Sequence, residues 1–299
     1  MADTAEGVGG YPMTLRVFDP TEIPDEPDPS LLHHHRYKIG KSVRDLWNRR
    51  EIIYTLAERD IRATYKEATL GILWAVITPL VTLVVMVFVF KRIKSFNTGD
   101  VPYALFAYCG ILAWGYFSSA FSSGANSLLS NKGLLSKIHF PRECFPLAQL
   151  LESGVSSALA TAVLVVLCLW FHFVPHVQAA WIPLFLVIEV IFTAGVALAA
   201  SALIVHVRDL AQVTGVIISL GLFATPVIWP FSKLPVRFQA VYSFFNPIGP
   251  VIDNIRRTFL YGQSPAWGLL AIALAGALVY LSIGFWTFRR LEADLADIA

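Results

Sequence analysis

The chain has 299 residues, 56% of them hydrophobic and only 15% charged, with a formal net charge of +2. A soluble domain carries about a quarter of its residues as charged side chains, so this composition excludes an ordinary water-soluble globule and points to the bilayer as solvent. Cys109, Cys144 and Cys168 fall in no metal-ligand spacing, and an odd set cannot pair fully within one chain, so they read as small apolar residues.

In chain order, residues 1–30 hold seven acids, five prolines and one basic residue. They show no apolar period and none of the basic-then-oily order of a cleaved signal, so a disordered cytoplasmic tail is expected over 1–35. His33, His34 and His35 are adjacent in that tail and read as solvated side chains; no metal site is expected.

Over 36–68 the pattern predicts an amphipathic helix in the cytoplasmic interface. Val43, Leu46, Trp47, Ile53, Leu56 or Ala57 and Ile61 recur at helical spacing, with Arg44, Arg49, Arg50, Arg59, Arg62 and Lys66 filling much of the remainder. Arg59, Arg62 and Lys66 share one face. Two readings stand for that face: an anchor on lipid phosphates, or a contact for a phosphate-bearing substrate where the first span opens at Leu70 and Gly71. The nearby "IGKS" at 39–42 is a decoy, because a phosphate-binding loop would need glycine where His35 stands.

Six apolar runs follow, at about 69–90, 103–129, 146–173, 181–205, 211–231 and 266–288, each close to the roughly 20 residues that cross a hydrocarbon core. The expected fold is therefore an all-α integral membrane protein with a six-span domain over 69–299. An even number of spans puts both termini on one side. With that side cytoplasmic, 16 Lys and Arg lie inside and 7 outside, the sense the positive-inside rule requires.

Within the spans, Pro79 and Pro226 are expected to kink the first and fifth. Phe88, Tyr116, Phe117, Phe223 and Trp229 are channel-lining candidates, since aromatic faces suit sugar rings; a lipid-facing or belt role is the alternative. Between the second and third spans, the strip "SNKGLLSKIHFPRECFP" sets apolar Leu134, Leu135 and Ile138 among Lys132, Lys137 and Arg142. Glu189 reads as the only acid well inside a span, and an ion pair with Arg256 or Arg257 is expected, with a proton-relay role as the alternative. Between the fifth and sixth spans, "NPIGPVIDNIRRTFLYG" predicts one short outer helix, re-entrant or lying on the membrane, with Asn246 and Pro247 at its start and Asp253, Arg256 and Arg257 on its polar side. No nucleotide-binding, metalloprotease, hydrolase or paired-carboxylate motif is present, so energy for any transport must come from a partner or a gradient.

Several segments together resemble a family. "RDIRATYKEATLGILWAVITPL", "VPYALFAYCGILAW", the strip above, "VRDLAQV", "TPVIWP", "FNPIGPVIDNIRRTFLYG" and "FRRLEADLADIA" are similar, in this order, to segments of ABC-2 type permeases that export lipid-linked polysaccharides of the O-antigen, teichoic acid or mycobacterial galactan kind. The resemblance covers roughly 45–299. It implies a homodimer of six-span subunits in the bacterial inner membrane, two separate cytoplasmic ATPase subunits that hold the ATP and Mg, and a channel for a lipid-linked polymer, with no cofactor on this chain and no nucleic-acid partner. It further implies that Leu70 and Gly71 shape the entry loop beside the interfacial helix and that Leu134, Leu135, Lys137, Ile138 and Arg142 form a coupling helix against the ATPase; the headgroup role of Arg59, Arg62 and Lys66, and an outer gate at Asn246, Arg256 and Arg257, are readings of the residues themselves. The competing functions are a gradient-driven lipid-linked saccharide flippase and a membrane glycosyltransferase.

Overall fold

The computed structural model describes residues 50–66, 73–93, 99–135 and 141–292, all within one unit, Leu46–Ala299. The tail with His33, His34 and His35 lies outside the described residues, as do Leu70, Gly71, Lys137, Ile138 and the side chains of Lys66 and Leu135. The described residues contain no strand. Their helices are α1 (Arg50–Lys66), α2 (Trp74–Ile93), α3 (Tyr103–Ser130), the single turn α4 (Lys132–Leu135), α5 (Cys144–Trp170), α6 (Ile182–His206), α7 (Leu210–Ala224), α8 (Val236–Phe245), α9 (Ile248–Phe259) and α10 (Trp267–Glu292). Helices satisfy their own backbone, which a bilayer demands of any segment with no water to bond to.

Among the described residues, four stretches are long and apolar enough to cross a membrane: Tyr103–Ser130, Cys144–Trp170, Val177–His206 and Trp267–Glu292. Trp74–Val89 and Leu210–Ala224 are apolar but shorter. The second of these ends early for a local reason. A residue before proline is pushed out of the helical region, and Thr225, just before Pro226, adopts ψ 145°. Pro226 therefore does not kink a helix running to 231; it terminates α7, and residues 225–230 form a turn.

α3 is the central post. At 28 residues it is about 42 Å long by helix rise, and it packs against α2, α5, α6, α7 and α9. Leu105, Phe106, Tyr108, Phe117, Leu128 and other apolar side chains are buried on several sides of it, the pattern of a helix surrounded by protein. α6 and α10 make the most intimate pair, because glycine meets glycine. A Cβ on Gly284 would overlap the Gly195 carbonyl, and one on Gly195 would stand 2.5 Å from the Leu281 amide nitrogen. Small residues at such crossings let backbones touch, and dispersion then holds helices that gain nothing from the hydrophobic effect in lipid.

Between α7 and α10 the chain makes two helices where the sequence predicts one. Asn246 sits at their junction: its amide bonds the Tyr242 carbonyl at 2.8 Å, and Pro247, not Asn246, precedes the first turn of α9. α9 is not a surface helix with a wet polar side. Ile248, Val251, Ile252, Asn254, Arg256, Thr258 and Phe259 are all buried, with Asp253 and Arg257 half-buried, so the helix is sunk into the bundle beside α3, α6 and α10.

Gly284→Ala should lower the Tm of the detergent-solubilised protein, since overpacking a close contact costs about 1–3 kcal/mol. Gly215→Ala on α7, where a Cβ meets nothing within 4 Å, should leave Tm unchanged or raise it. Thermal unfolding followed by tryptophan fluorescence checks both.

Candidate functional site

At one end of the bundle α1 lies against α5. Its apolar face places Leu56 and Ala57 in a cluster with Leu128, Cys144, Phe145, Leu198, Ala202 and Phe288, so α1, α3, α5, α6 and α10 meet here. Arg59 and Arg62, expected on one face, have different environments. Arg59 bonds its neighbour Asp60 at 2.7 Å and reaches Asn131 Oδ1 at 2.8 Å, while Asp60 accepts from Gln149 at 2.5 Å. Arg62 is exposed and pairs with Glu58 one turn earlier. Arg59 thus ties α1 to the start of the positively charged strip, and Arg62 is the outward-facing cation.

A second polar chain runs from the end of α1 into the bundle. Tyr65 Oη lies 2.7 Å from Ser156 Oγ; Ser156 and Ser153 donate to Glu152 at 3.3 and 3.4 Å; Ser119 on α3 lies 3.1 Å from Ser153. Glu152 is buried within the expected third span, so Glu189 is not the only acid inside one. The signal for it was a cluster of small polar residues, Ser153, Gly154, Ser156 and Ser157, interrupting an oily run.

In the strip, Leu134 is half-buried and packs on the cluster beneath α1, which leaves it less free to anchor a partner than its sequence position implies. Arg142 donates to the Glu292 carbonyl at 3.4 Å. Next to it, the fully buried Glu143 forms an ion pair with Arg289, which also bonds Glu292 at 3.0 Å. These contacts clasp the strip to the end of α10. The sequence reading missed this clasp, since nothing local marks a carboxylate in a loop as the partner of an arginine 146 positions later.

At the opposite end Arg256, expected to be a gate residue, is 1% exposed. Its guanidinium stacks 3.7 Å over the Phe106 ring and donates to the carbonyls of Phe106 (3.0 Å), Pro226 (2.7 Å), Val227 (2.5 Å) and Trp229 (3.4 Å). Tyr103 donates to Ile228 and Tyr242 to Ala224, at 3.2 and 2.8 Å, and Asn246 donates to Thr225 Oγ1 at 2.8 Å. The carbonyls of Ala224, Pro226, Val227, Ile228 and Trp229 at and beyond the broken end of α7 thereby each receive a side-chain donor. Gly110 leaves the room: a Cβ there would stand 2.5 Å from the guanidinium and overlap the Val227 carbonyl.

The Glu189 ion pair is not formed among the described residues. Arg256 directs its N–H groups to backbone carbonyls, neither it nor Arg257 pairs with Glu189, and neither Glu189 carboxyl oxygen has a hydrogen-bond partner among the described residues. Among the channel-lining candidates, Phe117 is a core residue stacked on Phe121 and Phe192 at 5.6 and 5.7 Å, so it lines no open path. Tyr116 borders a cavity between α3, α5 and α6, Phe88 and Phe223 are exposed, and half-buried Trp229 donates its indole N–H to the Phe223 carbonyl. The described residues contain no cluster of three or more metal-ligating side chains.

A helical bundle with several membrane-length helices, an amphipathic helix at one end and a cation-locked turn at the other defines a multi-span membrane protein. The chain belongs to the ABC-2 type transporter family, whose sequence model matches residues 51–260. It is 26% identical over 249 residues to the O-antigen export system permease protein RfbA of Klebsiella pneumoniae, covering 83% of this chain and 95% of the relative. A protein of the same name from Myxococcus xanthus is 26% identical over 253 residues, covering 84% and 96%. The polysialic acid transport protein KpsM of Escherichia coli is 21% identical over 239 residues, covering 78% and 91%. As an ABC-2 membrane permease the chain is not itself the ATPase, and membership implies a partner ATPase subunit.

Arg256→Ala should strip several buried carbonyls of their donor and destabilise the fold by about 3 kcal/mol or more. Arg256→Lys keeps the charge but loses the planar fork, so it should recover only part of that loss. Tm of the purified variants in one detergent ranks them.

Proposed function

We propose that this chain is the transmembrane subunit of an exporter that moves a lipid-pyrophosphate-linked polysaccharide from the cytoplasmic to the outer face of the bacterial inner membrane. ATP hydrolysis on the partner subunit supplies the energy. The carrying observation is the near end-to-end similarity to O-antigen export permeases, over 95% of the relative's length. On this reading the functional unit is a homodimer of six-span subunits with both termini cytoplasmic, and the α1 end faces the ATPase; the 16-to-7 distribution of Lys and Arg supports that orientation.

The roles then follow from position. Arg62, with Arg59 and Lys66 on the same helix and Leu70 and Gly71 beyond it, meets the pyrophosphate headgroup. Phe88, Phe223 and Trp229 offer aromatic surface to passing sugars. Leu135, Lys137 and Ile138 engage the ATPase, while Leu134 and Arg142 join that contact to α1 and α10. The α9 end, with Asn246, Arg256 and Arg257, shapes the outer mouth. A lever that transmits closure of the motor must be rigid and tied to the helices it moves, and the Arg59–Asn131 and Glu143–Arg289 contacts supply such ties.

Charge reversal at Arg62, the exposed cation, should cut export in reconstituted vesicles at least tenfold while the complex still assembles, because charge-assisted contacts to phosphate are lost. Lysine there should be milder. Normal flux in the reversed variant would remove the headgroup assignment.

Leu135→Asp should insert and fold, since the change lies outside the membrane-crossing helices, but should lose the ATPase on purification or hydrolyse ATP without export. Neutralising Lys137 should do less, because buried apolar anchors dominate such interfaces. Full ATPase retention with normal export would leave the strip a plain positively charged loop.

A further inference from the structure

A cavity of about 690 Å³ lies between α3, α5 and α6, with Ile255 and Phe259 of α9 also in its wall. That volume is in the range of pockets that hold small ligands. Most of its lining is apolar, including Leu112, Leu150 and Leu164; Tyr116, Ser157, Thr161 and Glu189 are the polar contributors. Its rim is apolar too: Leu151, Val155, Leu186 and Val190 are 40–41% exposed. Because α5 and α6 are of membrane-crossing length, an opening bordered by these side chains faces hydrocarbon rather than water.

Glu189 is the anomaly in this wall. Its side chain is completely buried, about 10 Å along α6 from Ile182 by helix rise, and neither carboxyl oxygen has a hydrogen-bond partner. Tyr116 lies within electrostatic reach of it. A carboxyl group buried without a partner is costly in a protein interior and more so at membrane depth. The polar groups of native interiors are otherwise nearly always paired. An apolar cleft with an unclaimed carboxyl group in its wall is complementary to a molecule with an aliphatic body and a head that donates a hydrogen bond to the carboxyl oxygen.

We propose that this cavity binds a membrane-dissolved, single-chain amphiphile, its aliphatic chain in the groove of α5 and α6 and its hydrogen-bond-donating head on Glu189. The ligand arrives laterally from the bilayer. Alcohol and amine heads share the donor chemistry; an ionised carboxylate favours the ammonium head, and a neutral carboxyl group does not.

The full-length protein in lipid nanodiscs is photolabelled with three diazirine-bearing dodecyl probes, the amine, the alcohol and the methyl ether, and labelled peptides are mapped by mass spectrometry. The expected result is labelling within 150–164 and 182–190 by the amine, the alcohol or both, and about tenfold less by the ether, the factor that one lost hydrogen bond to a buried acceptor is worth. Glu189→Leu should abolish the preference for donor heads. Val155→Trp, which blocks the rim without touching the carboxyl group, should suppress labelling by all three probes, so the test survives if the Glu189 variant fails to fold. Equal labelling by the ether and the donor probes, or none at these segments, would overturn the proposal. Export is not measured, so the outcome is independent of the transport reading.

Discussion

The architecture of one end of this protein depends on a single buried guanidinium. Thr225-Pro226 breaks α7 at a buried turn, and a broken helix leaves carbonyls that an apolar interior cannot satisfy. Arg256 supplies up to four donors from one rigid plane to Phe106 and the turn at 226–229. Its charge is not balanced by a direct carboxylate contact but spread over carbonyl dipoles and the face of Phe106. The consequence is geometric: α9 must enter the bundle to deliver the arginine, and α3 must carry glycine at 110 to admit it.

The opposite end is held by distributed pairs instead. α1 is fixed through Asp60, Gln149, Tyr65 and Ser156, and the strip after α3 is clasped to α10 by Glu143 and Arg289. The Gly195–Gly284 crossing joins α10 to α6 along the way. The strip is therefore joined by direct contacts to α1 and α10, and α10 in turn to α6.

Much of the helical character was legible in the sequence because hydropathy over about 20 residues is a collective signal that no single side chain can hide. The turn at 225–230 was not, because a proline in an oily run reads equally as a kink or a stop; Arg256, some 30 residues away, supplies the bonds that make a stop affordable. The same non-locality explains Glu189. Arg256 and Arg257 are among the outer cations that the expected topology makes available to it, yet Arg256 is taken up by backbone carbonyls. Residues 236–245 lie outside the one outer helix that the sequence predicts, and they are helical where they pack against α10. Phe117 and Phe223 look alike in sequence, and only packing separates a core ring from an exposed one.

The account rests on the chain being the conduit through which hydrolysis next door moves polymer. Purified permease and its ATPase, sealed in vesicles with the ATPase outside and a lipid-linked polysaccharide in the outer leaflet, allow the flux to be measured directly. The account predicts polymer appearing inside in proportion to ATP hydrolysed, undiminished when ionophores collapse proton and sodium gradients. Flux that persists without the ATPase and stops when a gradient is dissipated would contradict it.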